Sequence, residues 1–234
     1  MSDRLTYRLD DGVAVVTLDD GKANALSPAM LDDLEAALQR AESEAKALLL
    51  FGRPGRFCAG FDLKHMMSSP QAAQDLVKRG AGFFLNLYGS KLPVVLGCTG
   101  HALAGGALLL LCGDTRVGVE GPFKIGLNET SLGMQLPILG QELARDRLDP
   151  RQLTAAVVQA RIYDPSGAAA AGYLDQVVAG EELVATAMAE ARRLATLPGS
   201  AYGGTKQTLR AATIEHIRNT LEADILRLTS PTPA

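Results

Sequence analysis

An α/β fold with a mainly helical carboxyl-terminal part is the class this sequence predicts, on three observations. The first third alternates short β-branched runs with segments of helical periodicity, the pattern of stacked β and α units. The run KALLLFG at 46–52 is continuously apolar and bounded by glycine, as in a strand covered on both faces. Beyond Pro137 the pattern turns mostly helical.

The elements follow in order. Leu5 to Leu9 and Val13 to Leu18 read as two strands joined by the turn Asp10-Asp11-Gly12, a hairpin signal. Ser27-Pro28 supplies an N-cap and a first-turn proline, and Met30, Leu31, Leu34 and Leu38 then recur at helical spacing, giving a helix to about Ser43. After the 46–52 strand, RPGRFCAGFDL reads as a loop, with a helix expected from about Gln71 to Tyr88. Val94 to Cys98 is an apolar strand that breaks at Thr99-Gly100, and the glycines of AGGALLLLCGD open a short apolar helix from Ala104. Thr115 to Val119 and Phe123 to Ile125 look like further short strands. Helices are expected over 138–146, 150–159, 165–171, 181–197 and 202–228, interrupted by a strand from Leu174 to Val178, before the polar tail SPTPA.

Composition bounds the class of function. With 234 residues, 47% hydrophobic and 21% charged, the chain can bury one sizeable core and is read as one compact domain. A net charge of −3 with no long Lys/Arg run gives no electrostatic footprint for nucleic acid or an anionic membrane. No segment has signal-peptide or membrane-helix character, so a cytoplasmic protein is expected. Cys58, Cys98 and Cys112 are odd in number and show no zinc-site spacing, so they are read as buried free thiols, and no metal site is expected.

Three stretches call for more than routine packing: FCAGFDL at 57–63, HALAGGAL at 101–108 and GLNETSLG at 126–133. Each places small residues or a carboxylate just after an apolar strand, where ligands bind in open α/β sheets, and the glycines let a ligand touch the backbone. Motifs for dinucleotides, P-loops, serine hydrolases and zincins are absent.

Taken together and in order, these stretches resemble the crotonase superfamily, the enoyl-CoA hydratase and isomerase group. GKANALS at 21–27, KLPVVLGCTGHALAGGALLLLCGDTRV at 91–117 and AAAAGYLDQVV at 168–178 share the likeness, which covers most of the chain. It implies a ββα spiral core over 1–180 carrying an acyl-CoA site, and a helical trimerisation region over 181–234 in the same structural unit. It further implies an acyl-CoA substrate with no other cofactor, and a homotrimer or a dimer of trimers, although the chain ends soon after Leu228, short of many relatives.

Carried over residue by residue, the resemblance makes the N–H groups of Phe61 and Gly105 an oxyanion hole for the thioester carbonyl. Gly105 also stands at a predicted helix N-terminus, where unpaired N–H groups favour developing negative charge. The resemblance sets Ala59, Asp62 and Leu63 against the adenine of coenzyme A, with Lys22, Ala23 and Leu26 along the same nucleotide and pantetheine and Gly106 beside the substrate. Asp62 is expected chiefly to hydrogen-bond its own loop, Lys22 is either a phosphate partner or merely solvated, and His101 is expected to be satisfied by backbone. Phe83, Phe84, Leu85 and Leu87 line an acyl tunnel or belong to the core.

The choice of reaction turns on two positions. Hydratases of the group use two glutamates, and Leu108 stands where the first would be. An aliphatic side chain can neither orient water nor pass it a proton. Glu129 falls on the second glutamate, and its neighbours Leu127, Leu132 and Met134 suggest an apolar setting that raises its pKa. IGLNETSLG and AGGAL are especially similar to mitochondrial-type 3,2-enoyl-CoA isomerases. A 3,2-enoyl-CoA isomerase working through Glu129 is therefore expected, with a hydratase or another crotonase-type reaction, and a catalytically silent acyl-CoA-binding or scaffold protein, as the rivals.

Overall fold

The computed structural model describes residues 3–229; the SPTPA tail lies outside them. Six strands form the larger sheet, in the order β1 (Leu5–Asp10), β2 (Val13–Leu18), β3 (Ala47–Phe51), β5 (Val94–Cys98), β7 (Thr115–Val119) and β9 (Gln176–Val178). Only β1 and β2 pair antiparallel; the other neighbours are parallel. A second, parallel sheet holds β4 (Gly55–Cys58), β6 (Gly100–Leu103) and β8 (Ile125–Gly126). Each turn of the chain thus gives one strand to the large sheet and the next to the small one, and the two sheets climb together as a spiral.

The bends between sheets explain two strands that sequence periodicity does not reveal. β4 lies within the stretch read as a loop, and β6 begins where the preceding strand was expected to break. Both are four residues long and open on glycine, too short and too irregular for a period-2 signal. Close backbone contact fixes the glycines: a Cβ on Gly100 would lie 2.1 Å from the Gly55 carbonyl carbon, and one on Gly52 would lie 2.3 Å from the Arg56 oxygen.

β3 is buried along its whole length, as its unbroken apolar run requires. Leu48 and Leu50 join the main core with α1 (Pro28–Glu44), α3 (Pro70–Gly89) and α4 (Gly105–Cys112), whereas Ala47, Leu49 and Phe51 meet Ala187, Met188 and Ala191 of α7 (Leu183–Ala195). The helix starts are those the caps dictate. Ser27 accepts from the Met30 N–H at 3.1 Å ahead of Pro28, and Ser69 accepts from Ala72 at 3.0 Å ahead of Pro70. Between them a short α2 (Leu63–Met66) follows β4, and α6 (Pro165–Ala171) comes after α5 (Ile138–Arg147). The helix expected over 150–159 is a single π-helical turn, Thr154–Val158. The chain leaves it through Ala160 at φ 51°, so that Tyr163 can pair with Ile125 by two bonds of 2.9 Å, which a continued helix would prevent.

The long α8 (Gly199–Thr229) packs on α3 and α5 and is pinned to the sheet by a buried ion cluster. Asp114 accepts from Lys206 at 2.7 Å, Arg210 at 2.9 Å and the Val94 N–H at 2.8 Å, while Lys206 also reaches the Leu92 carbonyl at 2.9 Å. Asp114→Ala leaves two buried cations without their carboxylate, and it is expected to cost about 3 kcal/mol or more, read as a lower denaturant midpoint. An unchanged midpoint would show that α8 is held by apolar packing alone.

Candidate active site

The site forms where three strands of the small sheet end. From β4 the chain runs Ala59-Gly60-Phe61. The Gly60 carbonyl accepts from Leu26 N–H at 2.8 Å and Asp62 N–H donates to the Leu26 carbonyl at 3.2 Å. This parallel bridge holds Phe61 by both neighbours and turns its own N–H to the opposite side. Gly60 sits at φ 91°, and a Cβ there would press at 3.0 Å on the Gly105 nitrogen, the Leu103 oxygen and the Ala104 Cβ. Only glycine lets β4 exit this close to the start of α4.

The second loop carries a strained residue. Ala104, between β6 and α4, has φ 51° and ψ −124°, an unusual conformation for a residue with a side chain. Its N–H donates to the Gly126 carbonyl at 3.1 Å, and its own carbonyl accepts from Ala107 and Leu108. The strain turns the backbone so that Gly105 leads α4 with no intrahelical acceptor for its N–H. Among the described residues, neither the Phe61 nor the Gly105 amide makes a hydrogen bond. A Cβ added to Gly105 would lie 3.4 Å from the Phe61 nitrogen, so the two free donors are neighbours. Both line a cavity of about 350 Å³.

Glu129 lines the same cavity. It follows β8 and begins a 3₁₀ turn, Thr130–Leu132, that Gly133 ends at φ 75°, and its carbonyl accepts from Leu132 and Met134. The side chain is 8% exposed, and its buried Oε2 has no hydrogen-bond partner. Burial pushes its pKa up to about 7, because the charged form loses water and its own backbone N–H offsets only part of that loss. Of the neighbours expected to make this apolar setting, Leu127 is buried, but Leu132 and Met134 are 53% and 38% exposed and stand at the cavity mouth. Leu108, only 2% exposed, forms an inner wall. Glu129 is the one carboxylate among the described residues lining this cavity.

The other sequence candidates fall into distinct places. Ala59 and Leu63 line the cavity, and Leu26 packs beside Gly105. Asp62 caps α2, accepting from the His65 N–H at 3.2 Å. Lys22 is exposed and offers its carbonyl to Arg53, and Ala23 uses its carbonyl to hold the Ala59 N–H at 3.0 Å. Lys22, Ala23, Asp62 and Gly106 are outside the cavity lining. Gly106 lies under β4, where a Cβ would come 2.0 Å from the Cys58 carbonyl oxygen. His101 accepts from the Lys124 N–H through Nδ1, and its pKa is lowered by burial, then by Arg56 and Lys124. The three cysteines are free and buried.

Other contributors were not read from the sequence. Gly80 makes room for the Phe61 ring, whose Cε1 would lie 2.2 Å from a Cβ there; a glycine inside a helical run was the only signal. Asn24, wholly buried at φ 53°, ties the GKANALS turn to β2 and β4 through the carbonyls of Leu18, Arg56 and Phe57 at 3.1, 3.2 and 3.1 Å. Ile225, Arg227 and Leu228 of α8 complete the cavity wall, which no local pattern could announce.

A spiral of paired strands with outer helices and a ligand cavity at the strand ends defines a mixed α/β protein of the crotonase fold. The chain belongs to the enoyl-CoA hydratase/isomerase family, whose sequence model matches residues 8–233. An enoyl-CoA hydratase/isomerase family protein from Pseudomonas syringae superposes with a TM-score of 0.94 at 42% identity, covering 97% of this chain and 98% of its own. Human mitochondrial delta3-delta2-enoyl-CoA isomerase gives 0.93 at 30% identity, covering 97% and 91%. In sequence, the chain is 31% identical to human mitochondrial enoyl-CoA delta isomerase 1 over 94% of its length and 74% of the relative's. Among the described residues, no helix is long and apolar enough to cross a membrane.

Proposed function

We propose that the protein is a 3,2-enoyl-CoA isomerase with Glu129 as its single acid–base group. The observation that carries this reading is one buried carboxylate sharing a cavity with two free amides, in a wall where Leu108 stands rather than a second carboxylate. The thioester oxygen of a 3-enoyl-CoA accepts from the Phe61 and Gly105 N–H groups. Glu129 removes a proton from carbon 2, the electron pair moves onto that oxygen as an enolate, and the amides hold the charge. Each such donor is worth roughly 3–4 kcal/mol in the transition state. Collapse of the enolate takes the proton back from Glu129 at carbon 4, leaving the double bond between carbons 2 and 3. Atoms and charge balance without water or any cofactor beyond the coenzyme A on the substrate.

A carboxylate raised to about 7 suits both halves of this shuttle, since it gives up its proton nearly as readily as it takes one. Because the first step needs the ionised form, kcat/KM is expected to rise with pH through about 7 and then level off. A profile already flat from pH 5 upward would remove Glu129 as the base. Separate assays with 3-enoyl-CoA and with 2-enoyl-CoA plus water test the reaction: rapid isomerisation and negligible hydration are expected, and substantial hydration would overturn the role given to Leu108. Failure to bind any acyl-CoA by calorimetry would favour a scaffold protein. We further propose assembly as a homotrimer or a dimer of trimers, which sedimentation measures.

A further inference from the structure

We infer that the carboxyl-terminal third of α8 sets the acyl-chain length this site accepts, with Leu221 and Ile225 forming the blind end of the acyl slot. The inference deepens the reading above and rests on it, because it takes the ligand to be an acyl thioester.

The cavity has two unlike ends. Leu63, Leu132 and Met134 at one end are 55%, 53% and 38% exposed, so a charged nucleotide can stay in water there. At the other end Phe61, Val77, Leu108 and Ile225 are shared with a much smaller void of about 20 Å³. That void is closed by Phe84, Leu139, Leu221 and Asp224, of which Phe84, Leu139 and Asp224 are 1%, 4% and 3% exposed. A thioester carbonyl held at residues 61 and 105 with its nucleotide toward the water must send its acyl chain inward, to this closed end. A void this small has room for about one water-sized probe, so the terminal methyl stops against it.

Asp224 reinforces the stop. Its Oδ2 accepts from the Ile138 N–H at 2.6 Å, capping α5, and its Oδ1 accepts from Arg227 at 2.6 Å. These bonds fix α8 over the slot and leave a buried carboxylate behind Leu221 and Ile225. A longer chain would have to displace packed side chains and strip what remains of that charge's solvation. Phe84 thus serves both as core and as part of the slot wall, the two roles the sequence left open.

Calorimetry with saturated butyryl-, hexanoyl-, octanoyl-, dodecanoyl- and hexadecanoyl-CoA tests this without any turnover. In the parent protein each buried methylene is expected to tighten binding about fourfold, until the chain meets Leu221 and the gain stops. Leu221→Ala is expected to move that break to longer chains and Leu221→Phe to shorter ones, with thermal unfolding confirming that each variant folds. Should the alanine variant not fold, Ile225→Val removes one methylene at the same end and is expected to shift the break in the same direction. A break that stays put in folded variants, or an affinity that rises unbroken to hexadecanoyl-CoA, would overturn the inference while leaving acyl-CoA binding intact. Absence of binding across the whole series would overturn the acyl-thioester reading and this inference with it.

Discussion

Glu129→Gln is expected to lower isomerisation of 3-enoyl-CoA by about a thousandfold or more while acyl-CoA still binds, because the amide keeps the shape of the carboxylate and loses its basicity. The same substitution is expected to stabilise the fold at neutral and higher pH. In the folded protein Glu129 has a pKa of about 7 against an ordinary value of 4.5. Between these values the native state holds a proton that the unfolded chain has released, so stability is full below the lower value and falls as pH rises through the upper one. The loss is of the order of 3 kcal/mol, from about 1.4 kcal/mol for each pH unit of difference. Glutamine carries no charge to bury, so the variant should unfold at a higher temperature than the parent at pH 8 and at a similar one at pH 4. Kinetics and unfolding curves for the one variant therefore check both base and burial. Full activity would remove Glu129 from the mechanism, and equal stability at pH 8 would show that water reaches its carboxylate.

Two adjacent glycines are expected to fail in different ways. Gly106→Ala puts a methyl 2.0 Å from the Cys58 carbonyl oxygen, a backbone atom in a sheet that cannot move without pulling β4 away from α4. The expected cost is more than about 4 kcal/mol, among the largest for a single substitution, and is read as loss of soluble protein or a sharply lower unfolding midpoint. Gly105→Ala meets nothing closer than 3.3 Å, so the fold is expected to survive. Its methyl sits 3.4 Å from the Phe61 nitrogen, in the space the thioester oxygen needs, so turnover is expected to fall about a hundredfold to a thousandfold, as for a lost oxyanion donor. A Gly106→Ala protein as stable as its parent would mean that the contact between β4 and α4 is looser than the geometry implies.

Much of the fold was legible because local chemistry and tertiary demand agree. Ser27-Pro28 starts a helix through a local capping bond and a preset φ, and an all-apolar run such as ALLLF has few alternatives to a central strand. The second sheet was hidden because GRFC and GHAL carry glycines required by a neighbouring backbone, a need that arises only once the strands are side by side. The 150–159 segment has helical composition, yet the pairing of Tyr163 with Ile125 overrides it.

The site was legible to the extent that chemistry sits next to glycine. Phe61, Gly105 and Glu129 come together in one cavity, as the three motifs suggested. Gly106 shows the limit: it looks like its neighbour in sequence, but one residue along a helix turns it toward β4. Leu132 and Met134 flank Glu129 in sequence, yet the 3₁₀ turn faces them to the mouth. Ile225 and Leu228 could not be read at all, since nothing local tells a helix ninety or more residues downstream that it will wall a cavity built around residues 61 and 129.

The most direct measurement of the proton shuttle is turnover of a 3-enoyl-CoA deuterated at carbon 2, with the product analysed by mass and NMR. A 2-enoyl-CoA carrying part of that deuterium at carbon 4 is the expected result, with transfer lost in Glu129→Gln. A 3-hydroxyacyl-CoA product, or the same deuterium transfer in the glutamine variant, would contradict a single carboxylate working across an enolate held by two amides.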